Sequence, residues 1–182
     1  RASLDAGVAA IGGVVDVDGR RLLVVGLDLQ CCGDTPESAQ EDRRRFEAQS
    51  IRSAIDAIAG SRDLDGIVVA GDFNAVQGSA PVDLLRAGPD AVTSLVAVEA
   101  RHRGHDVQWT WSGEGTPFPS GRLDFVLHSG ALVPLQAQVF DSEDLDASTQ
   151  AALGIAPGLS QSLSAHRPVV VDFGWRDGGR LP

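Results

Sequence analysis

Apolar and polar positions along the chain follow two periods, one of two residues and one of helical spacing, and their order predicts a mixed protein of class α/β or α+β. Residues 8–17 and 21–29 are rich in β-formers and flank Asp18-Gly19, a dipeptide suited to a tight hairpin turn. After a Cys31-Cys32-Gly33 loop, Thr35-Pro36 reads as an N-cap with proline at the first helical position. Ile51, Ala54, Ile55 and Ile58 then recur at helical spacing up to Gly60, predicting one long amphipathic helix. The run 66–71 is short, apolar and β-branched, as expected of a strand buried on both faces, and it ends at Asp72-Phe73-Asn74. Ser79-Ala80-Pro81 opens a short helix through Leu85, and residues 108–111, 122–127, 135–140 and 168–173 read as further strands.

Composition narrows the class of partner. A chain of 182 residues is long enough for one core. Its 21 Gly and 9 Pro are scattered between apolar runs, which argues for a loop-rich folded protein. A formal charge of −10 disfavours the phosphate backbone of long nucleic acids unless a local patch or a metal reverses the field, so nucleic acid stays an open partner. Arg43-Arg44-Arg45 would supply such a patch, but among Glu41, Asp42 and Glu47 a solvated, salt-bridged helix face is the expectation. The two cysteines are adjacent and cannot staple distant segments. No apolar run reaches the ~20 residues of a membrane helix, and residues 1–6 carry no signal pattern. With no initiating Met, removal of an upstream segment is expected.

Three polar islands accompany apolar strands. Asp72 and Asn74, two apart, would point to one side of an extended chain and offer a carboxylate and a neutral amide for a metal and a phosphate; equally, both suit a turn after the strand. Asp124 alternates with apolar neighbours in Gly121-Arg122-Leu123-Asp124-Phe125-Val126-Leu127, so it needs a partner or a cleft. His166 stands at a strand entrance. Alone it reads as a surface histidine; with Asp124 on one ring nitrogen, its tautomer is fixed and the other nitrogen is free for substrate.

Gly71-Asp72-Phe73-Asn74, Gly121-Arg122-Leu123-Asp124-Phe125-Val126 and Ser164-Ala165-His166-Arg167-Pro168-Val169 resemble, in order and spacing, the three C-terminal motifs of the endonuclease/exonuclease/phosphatase superfamily. With the preceding strand and helix, the resemblance spans residues 14–173. It implies two packed sheets flanked by helices, the C-terminal half of a four-layer α-β-β-α sandwich. It also implies cleavage of phosphomonoesters or phosphodiesters with a divalent cation, magnesium or manganese. Asp72 would position the attacking water or bind the metal, and Asn74 would orient the water or the phosphate. His166 would contact the phosphoryl oxygen, with Asp124 holding it in place.

The resemblance has departures. Ala165 stands where the family pattern has an aspartate before the histidine. Asp28, in Gly26-Leu27-Asp28-Leu29, stands where many members place a histidine; it either serves as a second acid and weak metal ligand or caps the cysteine loop. The family's first half, with its metal-binding glutamate, is expected upstream, so residues 1–182 read as one partial domain. On this view the chain alone is inactive, its partners are the missing half and a phosphate ester, and an uncovered sheet face favours self-association.

Other readings carry distinct expectations. Hydrolysis of small or lipid-like phosphate esters requires turnover with metal; a degenerate binding or scaffold domain, to which Ala165 points, requires binding without turnover. A zinc module would draw on Cys31, Cys32, His102 and His105, although adjacent cysteines do not have zinc-site spacing. Trp109 and Trp111 are expected to form a core or cleft wall, with a base-stacking platform as the alternative.

Overall fold

The hairpin at the start of the chain consists of β1 (Ala10–Val17) and β2 (Arg20–Asp28), antiparallel, turning on Asp18 and Gly19, both at positive φ. In this computed structural model residues 7–33, 35–76, 78–90 and 92–176 are described; the leader-free reading of residues 1–6 lies outside them. A long helix α1 (Ala39–Ser61) carries the chain from β2 to the parallel strand β3 (Gly66–Asp72). Then come α2 (Ala80–Arg86), β4 (Leu95–Ala97), β5 (Arg101–His102), β6 (Asp124–Ser129), β7 (Leu132–Val139), α3 (Ala147–Leu153), α4 (Leu159–Leu163) and β8 (Val169–Trp175). The strands form a five-stranded sheet in the order β1-β2-β3-β6-β4 and a three-stranded sheet in the order β5-β7-β8.

Alternation along the central strands decides what covers each face. Leu23, Val25, Leu27 and Leu29 on β2 and its end, with Ile67, Val69 and Leu127, pack against Ala48, Ile51 and Ile55 of α1 and Val82 and Leu85 of α2. Each buried Leu, Ile or Val among them contributes about 1.5–3 kcal/mol relative to exposure. On the opposite face Phe173 of β8 meets the His128 ring, centroids 5.4 Å apart, and Trp175 closes over Gly66. The second sheet covers that face only near β6 and the start of β3. Toward β1 the same face carries Ile11, Val15, Val17 and Val24, all exposed, with Ile11 at 81%.

Three expectations are corrected. The helix is capped by Ser38, whose hydroxyl accepts from Glu41 N at 3.2 Å, so Thr35-Pro36 precedes the helix. Residues 108–111 form no strand; Trp111 makes single bridges to Gly121 and to His166. The arginine run is salt-bridged as read, but Arg43 and Arg44 are buried. Arg44 pairs with Glu41 at 2.7 Å and donates to the carbonyls of Gln30 and Cys32, while Arg43 pairs with Glu47 at 2.7 Å. Glu47 also accepts from Gln30 N at 2.7 Å. The loop leaving β2 has no ladder for its backbone groups, and the helix's charged side chains satisfy them instead.

Candidate active site

Register brings the acids together. Asp28 ends β2 opposite Asp72, and Asp72 ends β3 opposite Asp124 at the start of β6, so three carboxylates stand abreast on adjacent strands. Directly opposed residues share a face, here the one turned toward the second sheet. The strands can approach this closely because residue 71 is glycine: at φ 145°, a Cβ there would lie 1.9 Å from the Leu27 carbonyl oxygen.

His166 enters from the other side. Its Nδ1 lies 2.8 Å from Asp124 Oδ2 and its Nε2 3.8 Å from Asp72 Oδ2, the latter too long for a direct hydrogen bond. With an ionised Asp124 as acceptor, Nδ1 carries a proton, which leaves Nε2 as the nitrogen facing Asp72. The segment is held in register by backbone bonds from Ser112 N to Ala165 O at 2.8 Å and from Arg167 N to Thr110 O at 2.7 Å. Arg167 is locked by Asp141 at 2.6 Å and by Gln161 at 2.7 Å. A cleft of about 390 Å³ adjoins the site, lined in part by Ala70, Val126, His166 and Val169.

Asn74 departs from the extended geometry read in the sequence. It adopts φ 46°, a left-handed conformation that asparagine tolerates, and is buried. Its amide nitrogen donates to Leu29 O at 2.9 Å and its backbone N–H to Asp72 Oδ1 at 2.8 Å. The turn after β3 therefore exists, and it fixes one oxygen of Asp72. Thr110, a residue that sequence reasoning passed over, holds Asp124: its hydroxyl oxygen accepts from Leu123 N at 3.0 Å and from Asp124 N at 2.8 Å. A threonine between two tryptophans is the sole hint of this role in the sequence.

Burial pushes the Asp72 carboxyl from 3.8 up to about 6, opposed by the Asn74 N–H bond and the nearby His166 and reinforced by the negative charges of Asp124 and Asp28. An anionic carboxylate so placed has the His166 ring, 3.8 Å away, to offset its charge against two neighbouring acids. Asp72, Asp124 and His166 present one ligand atom each within 4.8 Å of one another, the sole such group of three among the described residues. Carboxylate oxygens suit a hard divalent cation that keeps most of its own water, so the donor set fits one. Ala165 adds only a methyl group, leaving the position where the resemblance expects an acid without a ligand.

The zinc reading is not supported. His102 is buried, with Nδ1 2.9 Å from Asp144 and Nε2 2.9 Å from the Trp109 carbonyl, so both nitrogens are engaged. Trp109 packs against the His102 ring, centroids 4.2 Å apart, with the Arg167 guanidinium 5.4 Å from its ring centroid, as befits a wall.

Solved structures with this fold include an endonuclease/exonuclease/phosphatase from Bacteroides vulgatus (TM-score 0.55, 20% identity, 87% of this chain and 51% of that one). The human Nocturnin catalytic domain with bound sulfate aligns at TM-score 0.58 and 16% identity, over 91% of this chain and 52% of its own. A mannosyl-6-phosphatase from Bacteroides thetaiotaomicron aligns at TM-score 0.52 and 16% identity, over 87% and 53%. The chain thus spans about half the length of these structures. Among curated proteins none matches it. The sequence profile of the Endonuclease/Exonuclease/phosphatase family matches residues 8–166, and with the motifs seated on its two-sheet fold, the chain belongs to that family.

Proposed function

We propose that Asp72, Asp124 and His166, with Asn74 setting Asp72, are the catalytic part of a divalent-cation-dependent phosphoesterase. The observation that carries this reading is the Asp124–His166 pair at 2.8 Å, with Nε2 facing Asp72 across 3.8 Å. In that gap Asp72 would orient or deprotonate a water, and His166, protonated at both ring nitrogens, would donate from Nε2 to a phosphoryl oxygen as negative charge builds there. Asp124 acts through His166 by holding its ring through Nδ1. A bound magnesium or manganese would neutralise charge on the phosphoryl group, with Asp72 as the primary ligand and Asp28, abreast of it, as a weaker one. The charge of −10 favours small or lipid-like esters over duplex DNA.

The exposed Ile11, Val15, Val17 and Val24 support a second element of the proposal, that the sandwich is completed by a further segment of the domain and that the chain alone self-associates through this face. Size-exclusion chromatography is expected to give dimers or larger species at high concentration, shifted to monomer by Ile11→Glu. A clean monomer for the unsubstituted chain contradicts this element.

Hydrolysis of bis(p-nitrophenyl) phosphate and p-nitrophenyl phosphate, by the chain joined to its upstream segment, tests the enzyme reading. Turnover that EDTA abolishes and magnesium or manganese restores is expected. Folded protein without turnover of either ester would instead favour a binding domain, the reading to which Ala165 lends weight.

A further inference from the structure

We propose that Cys31 and Cys32 form a dithiol modification site that closes to an intramolecular disulfide by exchange with a low-molecular-weight disulfide. This goes beyond the phosphoester reading and does not depend on it. Both thiols are free and exposed. They are adjacent in the chain, and the neighbouring Cys32, with burial adding to the effect, pushes the Cys31 thiol up.

The backbone around the pair is held from both sides. Arg44, fully buried, donates to the carbonyls of Gln30 and Cys32, the latter at 3.1 Å, and Glu47 accepts from Gln30 N at 2.7 Å. Cys32 sits at φ 69° and Gly33 at φ 96°, where an added Cβ would lie 2.6 Å from the Ser38 hydroxyl. The loop is thus held against the start of α1 with two adjacent, exposed cysteines, and nothing in the phosphoester chemistry uses them.

In the first step one cysteine loses its proton and attacks a sulfur of the reagent disulfide, forming a mixed disulfide and releasing one thiol. In the second the other cysteine attacks the protein-side sulfur and expels the second thiol. Two protein S–H groups become one S–S bond, and two electrons and two protons pass to the reagent. Consecutive Cα atoms are about 3.8 Å apart, short of the roughly 4.4 Å at which ordinary disulfides begin, so the ring is strained and readily reduced. The modification is therefore reversible. The ring closes over the Cys31–Cys32 peptide, directly before the Cys32 carbonyl that Arg44 uses and two residues beyond the Leu29 carbonyl that anchors Asn74.

The test is intact-protein mass spectrometry under non-reducing conditions after incubation with oxidised glutathione. The expected product is monomer lighter by two hydrogens, restored by dithiothreitol, formed faster as pH rises toward the thiol range. Cys31→Ser and Cys32→Ser should each stop at one stable glutathione adduct. Phenylarsine oxide, which bridges two thiols, should bind the unsubstituted chain one to one and dissociate rapidly from either variant. Two stable glutathione adducts per chain, or a disulfide-linked dimer, as the end product would overturn the proposal.

Discussion

Asp72→Asn is expected to raise heat resistance above about pH 6 while lowering phosphoester turnover, in the domain completed as proposed above, by about 10²–10⁴-fold. The two effects share one cause. In the unfolded chain this carboxyl titrates near 3.8, whereas in the fold burial and the charges of Asp124 and Asp28 raise it to about 6. Between those values the folded protein holds a proton that the unfolded chain has lost, so stability falls as pH rises through the window. The cost is absent below the lower value and fully present above the upper one. Asparagine keeps the oxygen that accepts from Asn74 N and removes the charge, so the gain in melting temperature should grow between about pH 4 and 6 and then level off. Each kcal/mol relieved is worth roughly 2–4 °C in a chain this size, and partial solvent access reduces the total. Thermal melts at stepped pH, with turnover measured on the same samples, separate this from a structural role. A variant that loses stability together with activity would place Asp72 among the residues that hold the fold.

The largest loss of stability is expected from Glu41→Ala. Glu41 accepts from Arg44 at 2.7 Å and from Arg45 at 3.0 Å, and Arg44 has no exposed surface. Removing the acid leaves a guanidinium buried with only the Gln30 and Cys32 carbonyls, at a cost of about 3–5 kcal/mol. That is a large fraction of the roughly 5–15 kcal/mol that keeps a domain folded. Arg45→Ala, which removes an exposed partner of the same acid, should cost about 1 kcal/mol or less. Replacing Glu41 and Arg44 together by apolar residues should recover much of the loss, since no charge is then stranded. Urea unfolding of the four proteins provides the comparison; equal losses for Glu41→Ala and Arg45→Ala would contradict the buried-pair account.

Local pattern carried much of the architecture because its signals are short-range. Alternation on β2 and the 3.6-residue recurrence in α1 are each satisfied by one covered face, whereas β3, expected to be buried on both, is fully buried at Ile67 and Val69 and only partly at Val68 and Ala70. What the sequence did not disclose depends on contacts distant along the chain. The burial of Arg43 and Arg44 follows from the loop at Gln30 and Cys32 needing partners for its carbonyls, which no charge-run rule anticipates. Ser38 displaced Thr35 as the cap because its hydroxyl reaches Glu41 N, a matter of one helical turn. Of the site, Asp124 beside His166 was legible as a need: an acid among apolar neighbours requires a partner. The alignment of Asp28, Asp72 and Asp124 was not, because strand register is set by Gly71 and by pairing across the sheet. Thr110 escaped notice for the same reason, its hydroxyl meeting Asp124 N from 14 residues away.

The most direct test of the central claim is metal-dependent hydrolysis of bis(p-nitrophenyl) phosphate by the completed domain, compared with its Asp124→Asn, His166→Ala and doubly substituted forms. An Asp124–His166 unit predicts a loss of about 10²–10⁴-fold for His166→Ala, a smaller loss for Asp124→Asn and no further loss in the double variant. Full turnover in His166→Ala, or losses that simply multiply in the double variant, would contradict it.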